Sequence, residues 1–368
     1  MRFTVIGAGN GGRAFSAYLS SMGHPVTLYN RSYSRIHHII KKGGIKSKGV
    51  IKGFFPLKKK TLNLEEAVKD ADVILIVTPA SAHKDIAQKI APFLTKDQII
   101  LLNPGRTFGS IEFLKIVENE IGSFPIFVAE TQTLLFTSRQ LKKNRVQILK
   151  IKDKVNFAAY PGKNTFFVYD TLGDVFPQLK PVEDYLNVTL KNIGMLLHPT
   201  LSLLNSGMLD IGKDFKFYKE GATKRTCTVL EHIQFEINQI CDKLGIKRYN
   251  FCKWAGMCYG IKADSIYNSI QNIEAYKDIS APKVLITRYF TEDVPTGLVP
   301  IASLAEFLNL KTPIINAIIR LSSILCGVNF KETGRTIKNL ELENYITSRI
   351  GGDLPSEVLI TEDQKVNA

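Results

Sequence analysis

Apolar residues in the first 130 positions fall into short blocks of two alternating kinds. Phe3-Thr4-Val5-Ile6, Val26 to Tyr29, Val73 to Val77 and Ile99 to Leu102 are compact, nearly unbroken apolar runs, the pattern of strands covered on both faces. Between them, apolar residues recur at helical spacing in Gly12 to Met22, in a stretch through Ile36, Ile39 and Ile40, in Leu64 to Lys69, in Ala82 to Phe93 and over 110–121. Residues 125–129 predict a further strand, and the glycine-bearing, alternating stretch Gly44 to Phe55 predicts a small hairpin. Strands alternating with helices predict a parallel, doubly wound sheet.

The pattern changes after about residue 150. Short strands are expected at 145–151 and 155–159, and the remainder reads mainly as helix. Thr226 to Leu244 carries Val229, Ile233, Ile237 and Ile240 at helical spacing and stops at Gly245, and Ile314 to Leu325 is a second apolar helix. Pro177 and Pro181 flank a short polar link. The boundary is placed there, giving an α/β unit over 1–180 and a mainly α-helical unit over 181–368. A chain of 368 residues suits two cores. The last dozen residues are polar and expected to fray.

Composition then excludes several classes. No apolar run reaches the ~20 residues that span a bilayer, and Arg2 leads directly into the first strand rather than into a signal peptide. A cytosolic protein with no membrane partner is expected. Cys227, Cys241, Cys252, Cys258 and Cys326 show neither a CxxC pair nor zinc spacing, so they read as idle or buried thiols and no metal is expected. The net charge of +14 raises the question of nucleic acid. The lysines are scattered, however, and the densest run, Lys58-Lys59-Lys60, comes with no nucleic-acid-binding motif. A solvated basic face is the better reading, and its field would gather anionic small molecules.

The first chemistry-bearing motif is Ile6-Gly7-Ala8-Gly9-Asn10-Gly11-Gly12-Arg13-Ala14, which contains G-x-G-x-x-G between a predicted strand and a predicted helix. Gly7 would allow the tight turn, Gly9 the approach of a pyrophosphate, and Gly12 close packing of helix on strand. Asn10 and Gly11 complete the loop at a helix N-terminus, where free N–H groups favour phosphate. A Rossmann-type dinucleotide-binding domain is therefore expected over 1–180. The second strand ends in Tyr29-Asn30-Arg31-Ser32, with Arg35 one turn on and no carboxylate to take a ribose 2′-hydroxyl. Asn30, Arg31, Ser32 and Arg35 thus favour NADP, by offering a 2′-phosphate cationic and small polar donors, with NAD the alternative.

Two segments of the second unit stand out. One runs from Asn192 through His198-Pro199-Thr200 to Leu204-Asn205-Ser206-Gly207; the other is Thr287-Arg288-Tyr289-Phe290-Thr291-Glu292-Asp293-Val294-Pro295-Thr296-Gly297. By residue type alone, a histidine among apolar residues before a proline is usually structural, and the acids could cap a helix. Together, behind an N-terminal GAGNGG, these segments resemble the opine dehydrogenases. Phe217-Tyr218-Lys219-Glu220-Gly221, Phe251 to Trp254, Tyr276 to Pro282 and Gly334-Arg335-Thr336 with Leu340 and Leu342 extend the resemblance over nearly the whole chain. It implies NAD(P)H-dependent condensation of an amino acid with a 2-oxo acid such as pyruvate or 2-oxoglutarate, giving a secondary amine dicarboxylate. It also implies that His198 and Asp293 form the proton-shuttling pair, that Arg288 reaches the cofactor pyrophosphate across the cleft, and that Asn205 belongs to the substrate site. The departure is Thr200-Leu201 where the family usually has Ala-Gly after His-Pro, which leaves the amino acid open. Arg106, in Asn103-Pro104-Gly105-Arg106, and Thr131 follow sheet strands and are expected to anchor a substrate carboxylate at the carboxyl edge. The rival readings are an oxidoreductase of the ketopantoate-reductase or glycerol-3-phosphate-dehydrogenase type, which uses a catalytic lysine, and a non-catalytic NADP-binding sensor.

Overall fold

A computed structural model describes residues 1–351, so the polar last dozen lies outside the described residues. The main sheet has eight strands in the order Leu179–Pro181, Val155–Tyr160, Phe127–Thr131, Ile99–Leu102, Val73–Ile76, Phe3–Ile6, Val26–Tyr29 and Lys59–Thr61. All neighbours run parallel except Val155–Tyr160 against Phe127–Thr131. Every residue of Phe3–Ile6, Val73–Ile76 and Ile99–Leu102 is buried, which is why these strands read as unbroken apolar runs rather than as alternation.

The strand expected at 125–129 runs over Phe127–Thr131. Pro125 has no N–H for the ladder and lends only its carbonyl, to Asp97 N at 2.7 Å. Lys59–Thr61 was not foreseen as a strand. It is a three-residue sheet edge, where lysines discourage further pairing and no apolar pattern is needed. The expected hairpin forms as Gly44–Gly49 against Gly53–Pro56. It does not stand alone. Arg145–Ile151 pairs parallel with Gly44–Gly49 and antiparallel with Phe136–Gln140, closing a second, four-stranded sheet. The sequence of Phe136–Gln140 has too little alternation to announce a strand.

After Leu179–Pro181 all the named elements are helical. Helix Lys224–Lys243 starts at Thr223, whose side chain accepts from Thr226 N, and buries Leu230, Ile233, Ile237 and Ile240, while Val229 is only half-buried. It ends before Gly245, at φ +63°. Both carboxylate oxygens of its Glu236 accept from Ile314 N and Ile315 N, at 2.7 and 2.9 Å, and so cap helix Pro313–Cys326. These two helices and helix Ile193–Leu204 pack on one another. All five cysteines are free thiols, three of them buried. Among the described residues no helix is long and apolar enough to cross a membrane, and no cluster of His, Cys, Asp or Glu could hold a metal ion.

Candidate active site

A cleft of about 910 Å³ opens at the carboxyl ends of the sheet strands, lined by the glycine loop and by His198 and Arg288. Gly7 sits at φ +113°. Its N–H donates to Tyr29 O at 2.9 Å, which ties the loop to the second strand. A Cβ on Gly12 would overlap the Gly7 carbonyl oxygen, so the helix can start this close to the turn only with glycine there. Gly9 faces open space. Helix Asn10–Ser21 has no side-chain cap, and its first amide bond is Arg13 N to Gly9 O at 3.1 Å. The amides of Asn10, Gly11 and Gly12 therefore have no partner among the described residues. Unpartnered amides at an open helix N-terminus fit the pyrophosphate of a nicotinamide dinucleotide.

The rest of the loop is braced. Asn10 accepts from Gln140 N at 2.7 Å and, through its carbonyl, from Ser138 Oγ at 3.1 Å, which docks the loop on the second sheet. Asn30 accepts from Ala8 N and donates to Ser32 O, both at 3.0 Å. Its side chain is thus a prop for the loop rather than a free donor. Arg31, Ser32 and Arg35 line the cleft and are exposed. One carboxylate absent from the local sequence does reach this region, Asp85 from the helix His83–Ile90, but Lys89 holds it at 2.7 Å. Arg13, not foreseen as functional, is buried with only carbonyl partners: Ala8 O at 2.9 Å, Lys143 O at 2.6 Å, Arg145 O at 3.3 Å and Arg35 O at 3.0 Å. Burial lowers its pKa to about 10, so it stays cationic and pins the glycine loop to the Arg35 helix.

His198 and Asp293 meet. His198 Nδ1 lies 2.7 Å from Asp293 Oδ2, and Nε2 lies 3.1 Å from the Tyr218 hydroxyl. The imidazole stacks on Tyr289 at a centroid distance of 4.2 Å and an interplanar angle of 18°. Helix Ile193–Leu204 delivers His198. Asn192 starts it by accepting from Gly194 N at 2.9 Å, and Pro199 sits inside it next to the histidine. Asp293 precedes a wide turn, Val294–Leu298, closed by Leu298 N donating to Asp293 O at 3.2 Å, a five-residue span.

Behind the pair lies Arg106, whose backbone is left-handed at φ +66°. Its Nε and Nη2 each approach Glu292 Oε1 at 3.0 Å, and Nη1 donates to Asn192 Oδ1 at 3.2 Å. Nη1 is also 3.0 Å from Asp293 Oδ1, a charge contact without an aligned N–H. A Cβ on Gly194 would overlap both Arg106 Nη1 and Asp293 Oδ1. Arg335, of the C-terminal Gly-Arg-Thr motif, holds this loop by donating to Gly105 O at 3.1 Å and Thr107 O at 2.8 Å.

Burial pushes the His198 pKa below its usual value even though Asp293 pulls it upward. Burial alone would raise Asp293, but Arg106 and then His198 hold it below the usual carboxylate range. Asp293 is thus a buried anion beside a histidine that rests neutral, with Nε2 toward the cleft.

Three expected substrate contacts are corrected. Arg106 lines the cleft but is buried, with hydrogen bonds to Glu292 and Asn192 and a charge contact to Asp293, so it braces the pair rather than standing free for a substrate carboxylate. Thr131 is 1% exposed, bonds Leu102 O at 3.5 Å and does not line the cleft, because its side chain turns to the neighbouring strand. Asn205 ends helix Ile193–Leu204, bonds Leu201 O and Gly221 O at 2.8 and 3.1 Å, and also lies outside the cleft lining. Arg288 does line the cleft, half-exposed, 3.5 Å from Glu292. Tyr218, Tyr289 and Glu292 were inside segments singled out in the sequence, yet residue type gave none of them a role.

A doubly wound dinucleotide-binding domain joined to a helical domain, with a histidine–aspartate pair in the same cleft as the glycine loop, fits an NAD(P)-dependent oxidoreductase. Residues 181–326 match the family model described as NAD/NADP octopine/nopaline dehydrogenase, alpha-helical domain. Residues 3–121 match ketopantoate reductase PanE/ApbA, a match that stops short of His198 and Asp293. The chain is 37% identical over 349 residues to the opine dehydrogenase of Arthrobacter sp. (strain 1C), covering 95% of this chain and 97% of that protein. The chain belongs to the opine dehydrogenase family. Its fold is that of octopine dehydrogenase in complex with NADH and agmatine (TM-score 0.77, 18% identity, 96% and 98% of the two chains). Yersinopine dehydrogenase with NADP⁺ bound is also similar in fold (TM-score 0.71, 14% identity, 96% and 95%).

Proposed function

We propose that this enzyme uses NADPH to condense an amino acid with a 2-oxo acid, releasing water and forming an N-(carboxyalkyl) amino acid. The observation that carries this reading is the buried His198–Asp293 pair at 2.7 Å, with His198 lining the same cleft as the glycine loop. A neutral His198 Nε2 accepts a proton from the substrate ammonium, freeing the amine to attack the oxo carbon. Attack moves a second amine proton to the oxygen and gives a carbinolamine; the imidazolium, stabilised by Asp293, then returns the first proton to its hydroxyl, which leaves as water as the C=N bond forms. Tyr218 suits the exchange because its hydroxyl can donate to neutral Nε2 or accept from the imidazolium. When bound, the reduced nicotinamide supplies the reducing equivalents. Gly7, Gly9, Asn10, Gly11 and Gly12 form its pyrophosphate cradle, with Arg288 reaching it from the helical side.

The preference for NADPH rests on Arg31, Ser32 and Arg35 at the end of the second strand, with the nearby Asp85 already neutralised by Lys89. The test is NADPH consumption with pyruvate or 2-oxoglutarate against a panel of amino acids. Turnover should need both organic substrates and yield a product of their summed mass less water plus two hydrogens. Rapid reduction of the oxo acid alone, with no acceleration by any amino acid, would overturn the reading.

A further inference from the structure

The cleft contains a buried cation that the acid–base network does not use. Lys152 follows strand Arg145–Ile151, lines the cleft and is only 5% exposed. Its Nζ donates to Thr133 Oγ1 at 2.8 Å, and it lies 5.6 Å from the ring centre of Trp254 and 5.8 Å from that of Tyr259. An ammonium has three donors. Among the described residues the other two find no acceptor, and no carboxylate comes within ion-pair distance. Burial lowers the Lys152 pKa to about 8, which leaves it mostly protonated at neutral pH. A buried, under-bonded cation is costly unless an anion joins it.

The other cations of the cleft are differently placed. Arg106 is held by Glu292 and Asp293, and Lys89 by Asp85. Arg288 approaches Glu292, and Arg31 and Arg35 lie at the end of the second strand. Arg139 also lines the cleft without a carboxylate partner among the described residues, but it is only partly buried and donates to Ser138 O at 3.1 Å. A continuous wall of rings joins Lys152 to the acid–base pair. Tyr259 meets Tyr276 edge-on at 5.6 Å, Tyr276 stacks on Tyr218 at 4.1 Å, and the Tyr218 hydroxyl touches His198.

We propose that Lys152, with the Thr133 hydroxyl, anchors the carboxylate of an organic-acid substrate along the tyrosine wall that leads to His198. The proposal rests on the two-substrate reading above and names the group that the reading lacked once Arg106 proved to be committed elsewhere. Both substrates carry a carboxylate, so the experiment has an arm for each.

The full-length enzyme with NADPH is titrated calorimetrically with pyruvate against pyruvamide, and with the panel amino acids against their amides. The wild type should favour an acid over its amide in one arm, and that arm identifies the substrate held. Lys152→Met should weaken that acid about 10- to 100-fold, the range for a hydrogen bond to a charged group, and leave the amide and NADPH unchanged. In turnover the KM of that substrate should rise in parallel while kcat changes little, and Lys152→Arg should restore part of the loss. Thr133→Val, which keeps the charge but frees the ammonium, should give a smaller loss in the same direction and serves as the deciding variant if Lys152→Met does not fold.

Equal affinity for acid and amide in the wild type, an equal loss of both in the variants, or a collapse of kcat at constant KM would each overturn the proposal. The last result would make Lys152 a proton donor, as in the rival dehydrogenases. Binding needs no product, so acid selectivity through Lys152 without any secondary amine would overturn the two-substrate reading alone.

Discussion

Replacing Asp293 by asparagine tests the acid–base assignment at its least forgiving point. The residue is fully buried and faces two partners at once, His198 Nδ1 at 2.7 Å and Arg106 Nη1 at 3.0 Å. A carboxylate can satisfy both, whereas an amide has only one oxygen. If that oxygen stays toward His198, the NH₂ group confronts the Arg106 guanidinium. If the amide turns round, Nδ1 must become an acceptor, the proton moves to Nε2, and the cleft-facing nitrogen can no longer act as a base. Removing one member of a buried ion pair costs about 3–5 kcal/mol of stability. The lower end is expected because Arg106 keeps Glu292 at 3.0 Å. The rate should fall by about 10²–10⁴-fold, the contribution of a positioned acid–base group.

The pH dependence follows the same charges. In the wild type, folded His198 titrates below its unfolded value of about 6.5. Its neutral form therefore contributes stability that is complete above pH ~6.5 and is lost as pH falls from there through the folded value. Asp293 is the group that pulls this value upward, so Asp293→Asn should move the acid limb of kcat/KM to still lower pH. Initial rates with both organic substrates over a pH series, beside thermal melts and NADPH binding, read all three effects. A variant that folds, turns over within a few-fold of wild type and keeps its acid limb in place would refute the shuttle.

Three further changes probe the surroundings of that pair. Arg31→Ala should lower kcat/KM for NADPH more than for NADH, and an unchanged ratio of the two would remove Arg31 from the 2′-phosphate pocket. Arg288→Ala should raise the KM for the cofactor and reduce the compaction seen by small-angle scattering when NADPH is added, whereas normal binding and normal closure would exclude it as the bridge between domains. Gly194→Ala puts a methyl group where Arg106 Nη1 and Asp293 Oδ1 now sit. It should abolish most of the activity while leaving NADPH binding near normal, and an active alanine variant would mean that activity does not depend on this contact.

The legible parts of this protein were those whose signal is local. The glycine loop needs a turn, an approach and a close packing within six residues, so its sequence, Gly7 to Gly12, carries its own explanation. The helix faces and the doubly buried strands are legible for the same reason. His198 and Asp293 were legible only through their flanking segments, because neither residue type in its immediate context requires catalysis. What escaped depends on contacts distant in sequence. Gly44–Gly49 finds Arg145–Ile151 about a hundred positions away, and nothing in either segment specifies the other. Thr131 was placed correctly at the end of a strand, but strand ends alternate in direction. Its side chain turns onto Leu102 O, and it is Thr133, past the end of the strand, that lines the cleft.

Arg106 shows most clearly why the sequence could pick out two residues that meet and misread what surrounds them. An arginine at the carboxyl edge of a sheet reads as a ligand for an incoming anion. In the fold, the anions that reach it belong to the protein: Glu292 and Asp293, 186 and 187 positions downstream, close on it when the helical domain packs against the sheet. With Arg288 beside Glu292, two guanidinium groups face two carboxylates, and the fixed charges around His198 nearly cancel. Burial then outweighs the pull of Asp293, and the imidazole rests unprotonated. Arg288 and Arg106 add smaller pushes in the same direction as burial. A histidine without the aspartate would have neither a fixed tautomer nor a stabilised imidazolium. In the proposed mechanism Arg106 is therefore a positioning residue: it keeps Asp293 ionised, and that anion orients a histidine able to take a proton from the amine and give it up to the leaving oxygen.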